Sequence, residues 1–221
     1  MPARHFVDKC VESESGVKTM KIMVLYYSMT GNIFELAKSV AEGAAGVEGV
    51  DVLLRRVPEL IPEEKFNDAM KTARDAQSNV PVVTIEELED VDGLLIGTPT
   101  RFGNMAAQMK NFIDQTGGLW QKGSLIGKPF GVFTGSATQH GGQESTILTS
   151  IIPFIHQGMV YVGLPYSNQE LFGTEKVRGG SPYGASVVVG ARGNEGPKAE
   201  DKKLAAALGE RVAEIAKKLS S

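Results

Sequence analysis

Cysteine is almost missing from this chain: Cys10 is the only one. With a single thiol no intramolecular disulfide can form, and no cysteine cluster can hold zinc or an iron–sulfur centre. That usage fits a reducing cytoplasm. Long apolar runs are missing too, and none approaches the roughly 18–20 residues that span a bilayer. No block of like charge stands out. The 23 Lys and Arg and 26 Asp and Glu are interspersed and leave a formal net charge of −3. Without a dense basic patch or arm, nothing points to an electrostatic grip on nucleic acid. The three histidines, His5, His140 and His156, lack metal-ligand spacing to one another, so no metal site is expected.

Several catalytic motifs are absent as well. There is no G-x-x-x-x-G-K-[ST] for a triphosphate and no G-x-G-x-x-G for a dinucleotide. Ser28 lacks the leading glycine of a G-x-S-x-G elbow, which argues against a serine hydrolase. The same loop holds no cysteine for a phosphatase.

What is present suits one α/β domain: 221 residues, of which 42% are hydrophobic. Residues 1–20 carry no apolar core of a secretory signal. They read as a polar, mobile leader ahead of a domain over 21–221, or as sequence upstream of a true start at Met20. From residue 21 strands and helices alternate. KIMVLYY (21–27), VDVLLRRV (50–57), VDGLLIGT (91–98), PFGVFTGS (129–136) and MVYVGL (159–164) read as strands. ASVVVGA (185–191) is a further short strand or the continuation of the fifth. Ile33, Leu36, Ala37, Val40, Ala41 and Ala44 make one helical face. Further helices are expected over 104–118, ended by Gly117–Gly118, over 143–157, and after Pro197, with Leu204, Leu208, Val212, Ile215 and Leu219 on one side. Residues 58–84 read as a long connection with one short helix.

Such alternation implies a doubly wound, five-stranded parallel sheet with helices on both faces. Ligands then bind outside the carboxyl ends of the strands, where strand order switches. The loops at 28–33, 98–104 and 134–142 should therefore converge, and they are the most Gly/Ser/Thr-rich junctions in the chain. The first, Ser28–Met29–Thr30–Gly31–Asn32–Ile33, is either a helix start capped by Thr30 or Asn32 or an anion site. In the second case hydroxyls and amides at the positive end of the helix dipole hold a phosphate. With no Lys or Arg in the loop, a single terminal phosphate suits it better than a triphosphate. Thr100, Arg101 and Phe102 in the second loop suggest a flat aromatic ligand with polar edges. The third, around Gly135, Ser136, Ala137, Thr138, Gln139 and His140, offers backbone donors for negative charge on such a ring.

Together YYSMTGN, GTPTRFGNM, QMKNFIDQTGGLW and QELFGTEKVRGGSPYGAS resemble the signatures of WrbA-type NAD(P)H:quinone oxidoreductases, which are flavodoxin-like FMN proteins. The resemblance runs from about residue 21 to the last helix. It implies that Ser28 through Ile33 hold the FMN phosphate and that Thr100, Arg101 and Phe102 meet the isoalloxazine. It also implies that Gly135 through His140 line the ring's other edge, that His156 lies near the flavin, and that Trp120 walls the substrate pocket. Thr30 stands where the family often has an aromatic linked to nicotinamide contact. The third loop departs from the family in being one residue longer and less glycine-rich. The implied activity is two-electron reduction of quinones by NADH or NADPH, ping-pong through one pocket over FMN, in a cytoplasmic homotetramer. The rival is a flavodoxin-type carrier of single electrons between proteins. The modest net charge and the extra segment 165–184 argue for the reductase.

Overall fold

The computed structural model describes residues 19–220, so all but the last two residues of the expected leader lie outside it. Six strands form one parallel sheet: β1 (Met20–Tyr26), β2 (Val50–Arg56), β3 (Gly93–Pro99), β4 (Pro129–Ser136), β5 (Val160–Tyr161) and β6 (Ala185–Val188). Their order is β2-β1-β3-β4-β5, and β6 also pairs with β4. β5 runs beside Pro129 and Phe130, whereas β6 runs beside Phe133 to Ser136. The fifth position in the sheet is thus shared by two strands in tandem. The reading of 185–191 as a continuation of the fifth strand holds, and the strand expected over 159–164 shortens to two residues.

Helices cover both faces because every strand position alternates sides. Ile22, Val24 and Tyr26 of β1 pack with α1 (Asn32–Ala45) and α6 (Ala199–Leu219), through Leu36, Val40, Leu204, Leu208 and Val212. Met23 and Leu25 face the other way, toward α3 (Ala107–Asp114) and α5 (Gln143–His156), through Met109, Phe112, Ile147 and Phe154. Burial on both faces is why the strands read as unbroken apolar runs, and each such side chain contributes roughly 1.5–3 kcal/mol. α1 and α6 touch through glycines. A Cβ on Gly209 would lie 2.0 Å from the Val40 carbonyl oxygen, and one on Gly43 would lie 1.9 Å from that of Ala206.

Two local readings change. The connection 58–84 does hold one short helix, α2 (Asp68–Ala76), with Asn67 as its cap, accepting from the Met70 amide at 3.0 Å. The helix expected over 104–118, however, is two helices. α3 ends at Asp114, and Gly117–Gly118 open α4 (Gly117–Lys122) instead of closing α3. The stop is Gly123, at φ +71°. Thr116 makes the break, because its hydroxyl donates to the Ile113 carbonyl (2.7 Å) and accepts from the buried Gln157 amide (2.7 Å). No helix among the described residues is long and apolar enough to cross a membrane.

Candidate functional site

The order of strands reverses between β1 and β3, and the loops at the carboxyl edge meet there. The first leads into α1. Gly31, at φ +90°, is the residue before the helix, and no side chain caps it. Thr30 and Asn32 are therefore not caps. Asn32 Nδ2 instead donates to the Gly193 carbonyl at 2.8 Å. The amides of the first turn keep the helix's positive end open toward a ligand. The Ser28 hydroxyl is buried with no hydrogen-bond partner among the described residues. Its carbonyl accepts from Gln77 at 3.2 Å, which fixes the loop. Ile33 turns its side chain into the core, so only its amide can serve a ligand.

The second loop is a tight turn. Arg101 and Asn104 exchange backbone bonds of 2.7 and 3.1 Å. Phe102 (φ +53°) and Gly103 (φ +76°) sit between them, both in the left-handed region. The turn holds the Phe102 side chain fully in solvent, at 108% relative exposure. Beneath it, buried hydroxyls lock the loop to the sheet. Thr134 donates to the Thr98 carbonyl at 2.6 Å, and Thr98 Oγ1 accepts from the Ala106 amide at 3.0 Å. Thr100 receives a 2.6 Å bond from Thr146 in α5. Arg101 reaches across to the first loop, with Nη2 3.8 Å from the Met29 sulfur.

The third loop is held by α5. Gln143 Nε2 donates to the carbonyls of Thr138 and Gln139, each at 3.0 Å, and Ser136 donates to that of Thr138 at 2.6 Å. Ala137, Thr138, Gln139 and His140 are left exposed. Gly142, at φ +95°, precedes α5 without a side-chain cap. A Cβ there would stand 3.1 Å from Gly103 Cα and 3.4 Å from Thr100 Oγ1, so loops two and three touch. Gly135 is just as close to loop one: its Cβ would be 3.1 Å from Ile33 Cδ1. The three loops do converge.

Two further features joined them that the sequence did not signal. One is a fourth loop, 189–196, at the carboxyl end of β6, whose Gly193 receives Asn32. The other is a polar cluster beside the groove. Glu59 accepts from Tyr27 (2.9 Å), Gln108 (2.7 Å) and the amides of Leu60 (2.9 Å) and Ile61 (3.0 Å). Burial alone would raise the Glu59 pKa, but these bonds outweigh it and hold the carboxyl below its ordinary range. Burial first, then the bond to Glu59, pushes the Tyr27 phenol up. Ile61 and Gln108 line an open groove of about 720 Å³ with Met29, Arg101, Asn104 and Ile152.

Trp120 and His156 do not line this groove. His156 is exposed in the last turn of α5, about 20 Å along the helix from its start. Trp120, 61% exposed in α4, is near that same far end, joined to it by the Thr116–Gln157 bond.

A family model described as NADPH-dependent FMN reductase matches residues 20–170. The chain belongs to this family. Its relatives include a protein of Aromatoleum aromaticum named NAD(P)H dehydrogenase (quinone), 53% identical over 201 residues, covering 90% of this chain and 97% of that one. A protein of Geotalea uraniireducens with the same name is 52% identical, over 91% and 100% of the two chains. Among solved structures, a flavodoxin, WrbA-like protein from Agrobacterium tumefaciens has a TM-score of 0.60 at 22% identity, covering 90% and 98%. That similarity establishes a flavodoxin-like fold. For FMN reductase family members, a terminal phosphate calls for unspent donors. The buried Ser28 hydroxyl and the open end of α1 fit that group.

Proposed function

We propose that the protein is an FMN-dependent NAD(P)H:quinone oxidoreductase. The observation that carries this reading is the unpartnered Ser28 hydroxyl beside the uncapped start of α1, neutral donors that suit one terminal phosphate. FMN, when bound, would supply the two-electron redox chemistry between NADH or NADPH and a quinone. The chain supplies orientation and electrostatics. Ser28 and the amides of 30–33 hold the phosphate. Arg101, anchored by a 3.0 Å bond from Nη1 to the Thr100 carbonyl, offers its remaining donors and its charge to the ring's polar edge. Amides of 135–140 would hold the opposite edge and favour negative charge there. Phe102 offers an aromatic surface to a second flat ring.

The assembly is a homotetramer, and copies complete one another's sites. Leu148, Ile152 and Ile155 form an exposed apolar stripe on α5, with Ile126 and Trp120 nearby. Packing that stripe against another copy brings Trp120 and His156 of one chain toward the loops of a neighbour. Trp120 then walls a pocket that nicotinamide and quinone occupy in turn, with Thr30 at its rim. One shared pocket requires the oxidised nicotinamide to leave before the quinone enters. Initial velocities with both substrates varied should give parallel double-reciprocal lines. Intersecting lines would mean both substrates bind together and would remove the shared pocket.

A further inference from the structure

Loop 28–33 itself contains no cation, and Arg56 and Arg74, which line the pocket beside Ser28, already bond the Val80 carbonyl (2.9 Å) and Glu63 (3.6 Å), so the two negative charges of a phosphomonoester still lack a free cation. The fold brings one to its edge. After β6 the chain makes a compact loop: the Val189 amide donates to the Ser136 carbonyl (2.9 Å), Gly193 to Gly190 (3.0 Å), and Glu195 to Val189 (3.0 Å). Gly190 and Gly193 adopt φ +74° and +68°, so the turn between them rests on residues that take the left-handed region without strain. Its far side is tied to the cradle by the 2.8 Å bond from Asn32 to the Gly193 carbonyl. Arg192 stands in that turn, next to the tethered residue. It is exposed and makes no ion pair with a described residue. The nearest acidic group of α1, Glu35, is occupied by Lys38 at 2.7 Å.

We infer that Arg192 is a specificity-determining residue for the cofactor, supplying the cationic partner of the terminal phosphate that the first loop lacks. This rests on the reading of 28–33 as the FMN phosphate cradle. The position follows from the tandem fifth strand: because β6 extends along the second half of β4, its loop emerges at the carboxyl edge beside α1. An arginine is long enough to swing from this loop over the start of α1, and its fork matches phosphate oxygens. Being exposed, it acts on affinity and on salt dependence, and leaves ring chemistry alone.

The test is titration of the full chain with FMN and, separately, with riboflavin, which has the same ring and ribityl chain without the phosphate. Quenching of flavin fluorescence gives both affinities. Arg192→Gln should weaken FMN about tenfold at low salt, on the order of one charge-assisted bond. Riboflavin affinity should not change, Arg192→Lys should restore part of the loss, and the gap should close as salt rises. Equal losses for both flavins would make Arg192 a structural residue, and no loss for either would remove it from the site. A wild-type chain that binds riboflavin as tightly as FMN would overturn the cradle itself, whatever the variant does.

Discussion

Phe102 is held against its own backbone preference. It is the only non-glycine among the described residues with positive φ, a conformation that costs an L-residue roughly 1–2 kcal/mol. Its ring buries nothing in return. Turn chemistry alone would select Asn or Gly there, so folding does not account for the choice. Phe102→Gly is therefore expected to raise stability by up to about 1 kcal/mol while lowering quinone turnover severalfold. Thermal melts and steady-state rates check the two halves, and undiminished turnover would take the ring out of the site. At this scale the sequence was informative about residue type. Thr100, Arg101 and Phe102 are more polar and aromatic than a turn needs. The uncapped Gly31 was not legible, because Thr30 and Asn32 are both good caps by composition, and only the position of Gly193 decides where Asn32 bonds.

The elements show where local pattern suffices and where it fails. α1 and the strands were readable because both faces of the sheet are buried and their periods are clean. α3 and α4 were read as one helix because paired glycines usually stop a helix. The break depends on Gln157, which lies 41 residues from Thr116 and leaves no local trace. The tandem fifth strand was readable as one of two options, but the fourth loop was not, because its bond to Asn32 spans 161 residues. The Glu59 cluster belongs to this scale, since it ties the segment after β2 to β1 and α3. Its carboxyl is held below the ordinary value in the folded chain, so its bonds stabilise the fold above the unfolded pKa, about 4.5. That contribution is lost as pH falls through the folded value. Glu59→Gln should melt lower than wild type near neutral pH, with the difference shrinking in acid. A constant difference across pH would assign the effect to shape alone.

For the whole molecule, the four carboxyl-edge loops gather at one end of the sheet, where the proposed flavin site lies, while Trp120 and His156 stand outside the groove there. The resemblance groups all of them, and the proposed homotetramer would bring the two together through the exposed face of α5 that carries Leu148 and Ile155. Placing charge on that stripe with Leu148→Glu and Ile155→Glu should yield a smaller species by light scattering. That species should keep FMN but turn over quinone poorly. A variant that stays tetrameric would free this face from the interface. At this scale the proposed cradle should bind FMN that NAD(P)H reduces for transfer to quinone. An anaerobic visible titration of the purified chain with FMN, then NADH, then a quinone, decides it. Flavin bands should shift on binding, bleach in one two-electron step with NADH, and return with the quinone. Bound flavin that NADH leaves oxidised would overturn the reductase and favour a single-electron carrier.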